Sequence, residues 1–149
     1  MARRIEHFGP DPVAIAEQCH VPVVHSQDDA GFGSVIVYAH YTRRPPRITL
    51  YLAAIRRLDA LIAQREGVFA AGIGSTLPIF LAHELYHHFD HARARPPLSR
   101  QHRVRIFSLG NWNWTSGIAS LAEIAAGSFA QHLLGLSFHP KLLDRYLLD

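Results

Sequence analysis

The feature that most constrains the fold is an apolar helical segment with imidazole and carboxylate side chains in its middle. Thr76 can cap the segment, Pro78 suits its first turn, and the pattern continues to about His91. Pro96 and Pro97 exclude a continuation of the helix. Its apolar residues include Ile79, Phe80, Leu81 and Leu85. A helix that is apolar on most sides is buried, so the rest of the chain must supply layers that cover it.

Length and composition favour one compact domain around this helix. The chain has 149 residues, of which 48% are hydrophobic and 18% charged. A domain typically has about 150 residues, and this composition excludes wholesale disorder. We therefore predict a single domain over residues 1–149, with residues 1–9 as a loose arm.

The N-terminal half predicts a small sheet flanked by helices. Asp11 followed by Pro12 is typical of a helix start, and apolar spacings of three and four residues after position 53 predict an amphipathic helix. Runs of β-branched and aromatic residues predict strands. The predicted order is a helix at 12–19, strands at 21–25, 34–41 and 47–52, a helix at 53–65 and a glycine-rich connection at 67–75.

The C-terminal half predicts mostly helices. Thr115 or Ser116 can cap a long helix that runs to Leu134 and is closed by Gly135, and residues 141–148 form a short helix after Pro140. Residues 104–107 alternate like a strand and Gly110-Asn111 is typical of a turn, but the stretch 98–114 as a whole stays unassigned. The predicted fold class is α+β, with a small N-terminal β-sheet packed against the 76–91 helix and further C-terminal helices.

Charge, cysteine content and hydropathy narrow the function classes. The net charge is +3, but the arginines are scattered and Lys141 is the only lysine, which does not favour a nucleic-acid surface. Cys19 is the only cysteine, which excludes an internal disulfide and a Cys-based zinc site within one chain. The sequence shows no stretch long enough to span a bilayer and no apolar core of a secretory signal. We predict a cytoplasmic protein without membrane contact.

His83, Glu84 and His87 form an H-E-x-x-H motif within the apolar helix. Two imidazoles four residues apart project from one face of a helix and can hold a single cation. Zn²⁺ prefers such nitrogen ligands in a tetrahedron with one open position, where an adjacent carboxylate can take a proton from the bound water. The pattern predicts two metal ligands, His83 and His87, and a base, Glu84.

Chance is a weak explanation for the motif. With 11 histidines in 149 residues, the expected number of accidental matches in the chain is about 0.03. The alternative is an exposed helix that is merely rich in histidine, but the apolar neighbours of the motif favour a buried helix.

A third protein ligand must come from elsewhere in the chain. Asp90 and His91 follow His87 by about one turn of the same helix, too far along it to complete a tetrahedron around the metal. We predict that they contact the metal ligands and not the metal. Glu123 is the only glutamate after the motif and lies among small and apolar residues. An unpaired carboxylate would be costly to bury there, and a cation would offset that cost. The alternative is that Glu123 is an exposed helix residue.

Two segments resemble a known family. The stretches AHELYHHFD and AEIAAGSFAQHLLGL, in which Glu123 lies 36 residues after His87, are similar to the gluzincin-type minimal metallopeptidase domains of the ImmA/IrrE family. The resemblance extends over about residues 12–136, although only these two segments are specific. It implies a zincin-like fold, Zn²⁺ held by His83, His87 and Glu123, and Glu84 as general base. Tyr86 departs from the glycine common before the second motif histidine, and the DNA-binding motif found beside many such domains has no counterpart here.

The expected function is zinc-dependent hydrolysis of an amide bond in a peptide or protein substrate. A tyrosine or histidine that stabilises the oxyanion would complete such a site, and Tyr38, Tyr41, His102 and His132 are candidates, with His132 expected to face away. The alternative function is a catalytically silent zinc-binding module that has a structural or regulatory role and binds a partner protein. The substrate and the oligomeric state do not follow from the sequence. Nor does the identity of the metal, because two histidines and a glutamate also suit iron.

Overall fold

A computed structural model of the protein describes residues 11–32, 35–65, 74–93, 95–101, 103–109, 112–117 and 119–147. The predicted N-terminal arm and most of the 67–75 connection lie outside these residues. The helices are α1 (Pro12–Gln18), α2 (Leu52–Gln64), α3 (Leu77–Ala92), α4 (Leu98–Gln101), α5 (Ala119–Leu134) and a C-terminal 3₁₀ helix (Pro140–Leu147). The strands are β1 (Val23–Ser26), β2 (Gly31–Phe32), β3 (Val35–Ile36), β4 (Ala39–Arg43), β5 (Pro46–Tyr51), β6 (Arg103–Leu109) and β7 (Trp112–Gly117).

The largest sheet has three strands in the order β1-β5-β4. The central strand β5 runs parallel to β1 and antiparallel to β4. Ile48 and Leu50 alternate along β5 and are completely buried, because one face of the sheet packs against α3. The other strands form two hairpins, β2-β3 and β6-β7.

The start of α1 is fixed by a local side-chain cap, whereas the start of α3 is fixed by a contact with another helix. Asp11 caps α1 as predicted, because its side chain accepts a hydrogen bond from the backbone N–H of Val13 at 2.9 Å. Thr76 precedes α3 as predicted, but its side chain makes no capping bond. Thr76 is buried, and its N–H and hydroxyl both donate to Asp59 of α2, at 2.8 and 2.7 Å. The carboxylate of α2 therefore anchors the start of α3.

Small side chains bring α3 and α5 close together. Ala82 on α3 and Ala126 and Ala130 on α5 are completely buried in the main core, where the two helices pack. Alanine occupies little space between helix axes, so the backbones can approach. Because the two helices pack closely, the Glu123 side chain on α5 can reach α3.

The structure confirms several predicted elements and corrects two. The predicted helices at 12–19 and 53–65 and the end of the long helix at Gly135, whose φ is +62°, are all observed. Residues 104–107, which the sequence left unassigned, lie in β6. The single strand predicted at 34–41 is wrong: β3 pairs with β2, whereas β4 pairs with β5. The two segments belong to separate sheets, and residues 37 and 38, with a bend at Tyr38, interrupt the strand between them.

Thr115 and Ser116 do not cap α5. They pair with Arg105 and Val104 in the β6-β7 hairpin, and α5 begins only at Ala119. The β-branched and aromatic side chains of 112–115 favour a strand, and hairpin pairing outweighs the capping tendency of the hydroxyls.

The fold is mixed α+β, with helices packed on a small sheet, as predicted. A second, smaller core of Leu58, Ile62, Ile79, Phe138 and Leu143 joins α2 and α3 to the C-terminal segment. Among the helices described, none is long and apolar enough to cross a membrane. The single domain over 1–149 and the cytoplasmic location stay predictions.

Candidate metal centre

Helix α3 places the imidazoles of His83 and His87 side by side. The residues are one turn apart, and their Nε2 atoms lie 3.2 Å from each other. The side chains are 24% and 17% exposed, so both rings are largely covered but reach an open surface. The helical spacing has thus brought two ring nitrogens to one point.

Helix α5 supplies a carboxylate at the same point. Oε2 of Glu123 lies 3.1 Å from His83 Nε2, and Oε1 lies 3.2 Å from His87 Nε2. The Glu123 side chain is 61% exposed, so the expectation that it is a buried carboxylate is wrong. Glu123 instead lies at the solvent-exposed side of the His83–His87 pair. Hydrogen bonds from the two imidazoles lower the pKa of its carboxyl far below the usual range.

The three side chains, which we call the ligand triad, fit the requirements of a divalent cation. Their donor atoms all lie within 4.8 Å of one another. A tetrahedral zinc site with metal–ligand distances near 2.0–2.1 Å has ligand atoms about 3.3 Å apart. The observed separations of 3.1 to 3.2 Å come close to that value. Two imidazole nitrogens and one carboxylate oxygen are also a ligand set that suits zinc.

Glu84 lies beside the ligand triad but outside it. Its side chain contributes to the same cleft as His83 and Glu123. Burial raises the pKa of the Glu84 carboxyl, and the nearby imidazoles of His83 and His87 oppose that shift only in part. A raised pKa means that the carboxyl holds a proton more readily, as a group that accepts and returns a proton must.

His83 and Glu123 of the triad line a cleft of about 460 Å³, whereas His87 does not line it. Its lining includes the segment 36–39, which leads into β4, and Glu123 and Gly127 of α5. The other lining residues include Leu58, Ile79, Phe80, His139 and Leu143. Most of this surface is apolar, whereas the triad and Glu84 are polar, so the cleft can bind an apolar group next to a polar reaction centre.

Asp90 and His91 do not join the ligand triad. Asp90 is 2% exposed and accepts hydrogen bonds from the backbone N–H of Leu98, at 2.9 and 3.1 Å. The His91 ring stacks on Tyr41, with centroids 6.1 Å apart. Asp90 therefore holds the chain that follows α3, and His91 packs against β4.

The candidates for an additional hydrogen-bond donor have different positions. Tyr38 lines the cleft. Tyr41 does not, and its hydroxyl lies 3.1 Å from His88 Nδ1. His132 is exposed on the last turns of α5 and does not line the cleft, while His102 lies outside the described residues.

Sequence reasoning missed one histidine of the cleft. No sequence pattern assigned a role to His139, yet its side chain lines the cleft together with the triad residues His83 and Glu123. The available signal was its place immediately before Pro140, which is typical of a residue that caps a helical turn. That signal predicts local structure and carries no information about the cleft.

Comparisons of the chain with protein-family models, with curated proteins and with solved structures found no significant match.

Proposed function

We propose that this protein is a zinc-dependent hydrolase of amide bonds in peptides or proteins. The observation that carries the proposal is the convergence of His83, His87 and Glu123 at 3.1 to 3.2 Å, in a cleft that also exposes Glu84. A purely structural metal site closes its coordination with protein ligands and needs no adjacent base. Three ligands, an open side and a neighbouring carboxyl are the combination that amide hydrolysis requires.

The ligand triad would hold the metal. Zn²⁺ bound there would supply Lewis acidity, which polarises a carbonyl and makes water more acidic. The exposed edge of Glu123 keeps one side of the site open to the cleft, so that a substrate carbonyl has access. His83 and His87 hold their positions through the rigid backbone of α3, which fixes the distance between their Nε2 atoms.

Glu84 would move the proton. A carboxylate oxygen of Glu84 takes a proton from the attacking water and afterwards delivers it to the nitrogen of the leaving amine. Burial raises the pKa of this carboxyl, which makes the protonated form accessible during the second transfer. Both transfers use the same side chain, so loss of Glu84 should abolish the chemistry and leave the ligand triad intact.

The adjacent sheet edge would orient the substrate. β4 has β5 as its only neighbour among the described strands, and Ala39 at its start lines the cleft. A strand edge offers backbone N–H and C=O groups that can pair with an extended peptide. A peptide paired there would pass the ligand triad in an extended conformation.

The proposed function includes the family suggested by the sequence. The small sheet against the motif helix, followed by a helix that carries the third ligand, is the order expected for a zincin-like fold of the ImmA/IrrE type. We therefore propose zinc as the metal and the gluzincin pattern His83, His87 and Glu123 as its ligand set.

Metal content and hydrolysis of a general peptide substrate test the proposal together. Untagged wild-type protein should carry about one zinc per chain by elemental mass spectrometry, and Glu123→Ala should carry far less. The zinc-loaded wild type should cleave the oxidised insulin B chain, with fragments identified by mass spectrometry. Glu84→Gln should retain zinc and lose activity by about 100-fold or more, since a general base contributes 10²–10⁴-fold.

Glu17→Gln is the matched control, because Glu17 is exposed on α1 and does not line the cleft. It should match the wild type in zinc content and rate. Absence of zinc from the supplied wild type would contradict the metal site itself. Full zinc without any hydrolysis would instead favour the catalytically silent zinc-binding module.

A further inference from the structure

His139 occupies an unusual place in the cleft. It follows the buried Phe138 and directly precedes the C-terminal 3₁₀ helix, and it is half-buried. Its imidazole lines the same cleft as His83, Glu84 and Glu123. No step of the proposed function has used this side chain.

A glycine on α5 makes room for the His139 ring. A Cβ atom added to Gly127 would lie 2.5 Å from Cε1 and 2.8 Å from Nε2 of His139. Real Cβ atoms do not approach a ring so closely, so even alanine would displace the imidazole. Gly127 stands one helical turn after Glu123 on the same face of α5. The ring therefore lies one turn from the third ligand of the triad.

The backbone selects the tautomer of His139. The N–H of Lys141 donates a hydrogen bond to Nδ1 at 3.2 Å, so Nδ1 must offer its lone pair. A neutral imidazole with an accepting Nδ1 carries its proton on Nε2. Nε2 has no hydrogen-bond partner among the residues that the structure describes, which leaves this N–H as a donor for a ligand in the cleft.

The other aromatic donor of the cleft, the Tyr38 hydroxyl, is less firmly oriented. The Tyr38 ring stacks on Phe80, with centroids 4.7 Å apart. Burial raises the pKa of the Tyr38 hydroxyl, and Asp144 raises it further. No hydrogen bond to a described residue fixes the direction of this hydroxyl, whereas the Lys141 N–H orients the His139 ring.

We propose that His139 is a catalytic residue that contacts the substrate, and that its Nε2–H donates a hydrogen bond to the carbonyl oxygen of the amide that is cleaved. This inference rests on the proposed amide hydrolysis. The carbonyl oxygen gains negative charge when water attacks, so a fixed neutral donor stabilises the transition state more than the bound substrate. Gly127 holds the ring close to α5, and the Lys141 N–H keeps the proton on Nε2.

The tautomer is tested without substrate. Long-range ¹H–¹⁵N spectra of the metal-free wild type, with the His139 signals assigned by their loss in His139→Asn, should show a protonated Nε2 and an unprotonated Nδ1. A proton on Nδ1 would overturn the inference whatever the protein hydrolyses, because Nε2 would then be an acceptor.

Substrate contact is tested with two variants and one control. His139→Asn keeps an acceptor that can cap the 3₁₀ helix and removes the Nε2–H. Gly127→Ala keeps the imidazole but displaces it. His132→Asn alters an exposed histidine outside the cleft and serves as control. All three should retain the zinc content and the melting temperature of the wild type.

Hydrolysis of the insulin B chain and binding of a phosphinic peptide give the readouts. The phosphinic peptide carries a phosphinate–methylene unit in place of the amide between phenylalanine and leucine, and calorimetry measures its affinity. Loss of one oxyanion donor typically costs about 10²–10³ in kcat. His139→Asn should therefore lower kcat by about 100-fold with KM almost unchanged, and should weaken phosphinate binding. Gly127→Ala should show the same pattern, and His132→Asn no change.

The outcomes separate this inference from the proposed function. If the wild type hydrolyses the peptide and His139→Asn equals it in kcat and in phosphinate affinity, the role of His139 is wrong and the proposed function stands. If the zinc-loaded wild type neither hydrolyses the peptide nor binds the phosphinate, both are overturned. A rise in KM alone would make His139 a packing residue of the cleft.

Discussion

Helix α3 carries two pairs of histidines in different surroundings. His83 and His87 meet the carboxylate of Glu123 at 3.1 and 3.2 Å. His88 and His91 lie against Tyr41 of β4, whose hydroxyl is 3.1 Å from His88 Nδ1 and whose ring stacks on His91. The first pair faces a helix that offers a negative charge, and the second faces a strand that offers an aromatic ring.

The comparison shows that spacing permits a metal site but does not select it. His87 and His91 are four residues apart, as are His83 and His87, yet the described triad includes only the latter pair. The helical rotation carries His91 away from α5 and towards β4. The carboxylate of Glu123 therefore decides which histidines can share a cation.

The largest expected difference between the pairs is in metal affinity. His87→Gln removes a nitrogen ligand and should weaken zinc binding by more than about 100-fold, because changes even in the residues that support metal ligands cost 10–100-fold. His91→Gln should leave the affinity within about threefold. Competition with a fluorescent zinc chelator measures both values, and equal losses in the two variants would show that the site is not the triad.

A smaller effect concerns the stability that Tyr41 contributes. Tyr41→Phe removes the hydroxyl that contacts His88 and should lower the free energy of unfolding by about 1 kcal/mol, the usual contribution of one hydrogen bond. Zinc affinity should not change. Urea denaturation of the zinc-free protein measures the difference, with Tyr51→Phe as control, since the Tyr51 hydroxyl has no hydrogen bond to a described residue. A loss of zinc in Tyr41→Phe would mean that the two pairs are coupled.

The smallest effect concerns the metal-free protein, in which His87 and His91 should contribute to the free energy of unfolding with opposite pH dependence. Burial alone would lower the pKa of His87, but the hydrogen bond to Glu123 and the charge of Glu84 reverse the shift and raise it. Burial lowers the pKa of His91, and the nearby Arg43 lowers it further.

A raised pKa means that the folded state binds the proton more tightly than the unfolded state. His87 therefore stabilises the fold below its unfolded pKa near 6.5, and that stability is lost as the pH rises through the folded pKa. For His91 the sign is opposite, since its stabilisation is present above 6.5 and is lost as the pH falls through the folded pKa.

Urea midpoints between pH 5 and 8 measure these signs. Relative to the wild type, His87→Gln should make stability rise more steeply with pH, and His91→Gln should make it rise less steeply. Slopes that change in the same direction would contradict the assignment of the two environments.

Local signals predicted much of the helical framework. Asp11 and Pro12 at the start of α1, the apolar spacing of α2 and the left-handed Gly135 after α5 act within a few residues, so a sequence pattern is enough to locate them. Strands depend on partners that the pattern does not specify. The break of the 34–41 strand and the position of Thr115 in β7 were missed for this reason.

The sequence alone determined the pairing of His83 with His87 and the position of Glu84 beside them, because helical periodicity relates residues one turn apart. It also singled out Glu123 as the only later glutamate. The tertiary structure decided that Glu123 reaches the first histidine pair and that His139 enters the cleft over Gly127. Those contacts depend on how closely α3, α5 and the C-terminal segment pack, and the distance between separate elements is not encoded in the pattern of any one of them.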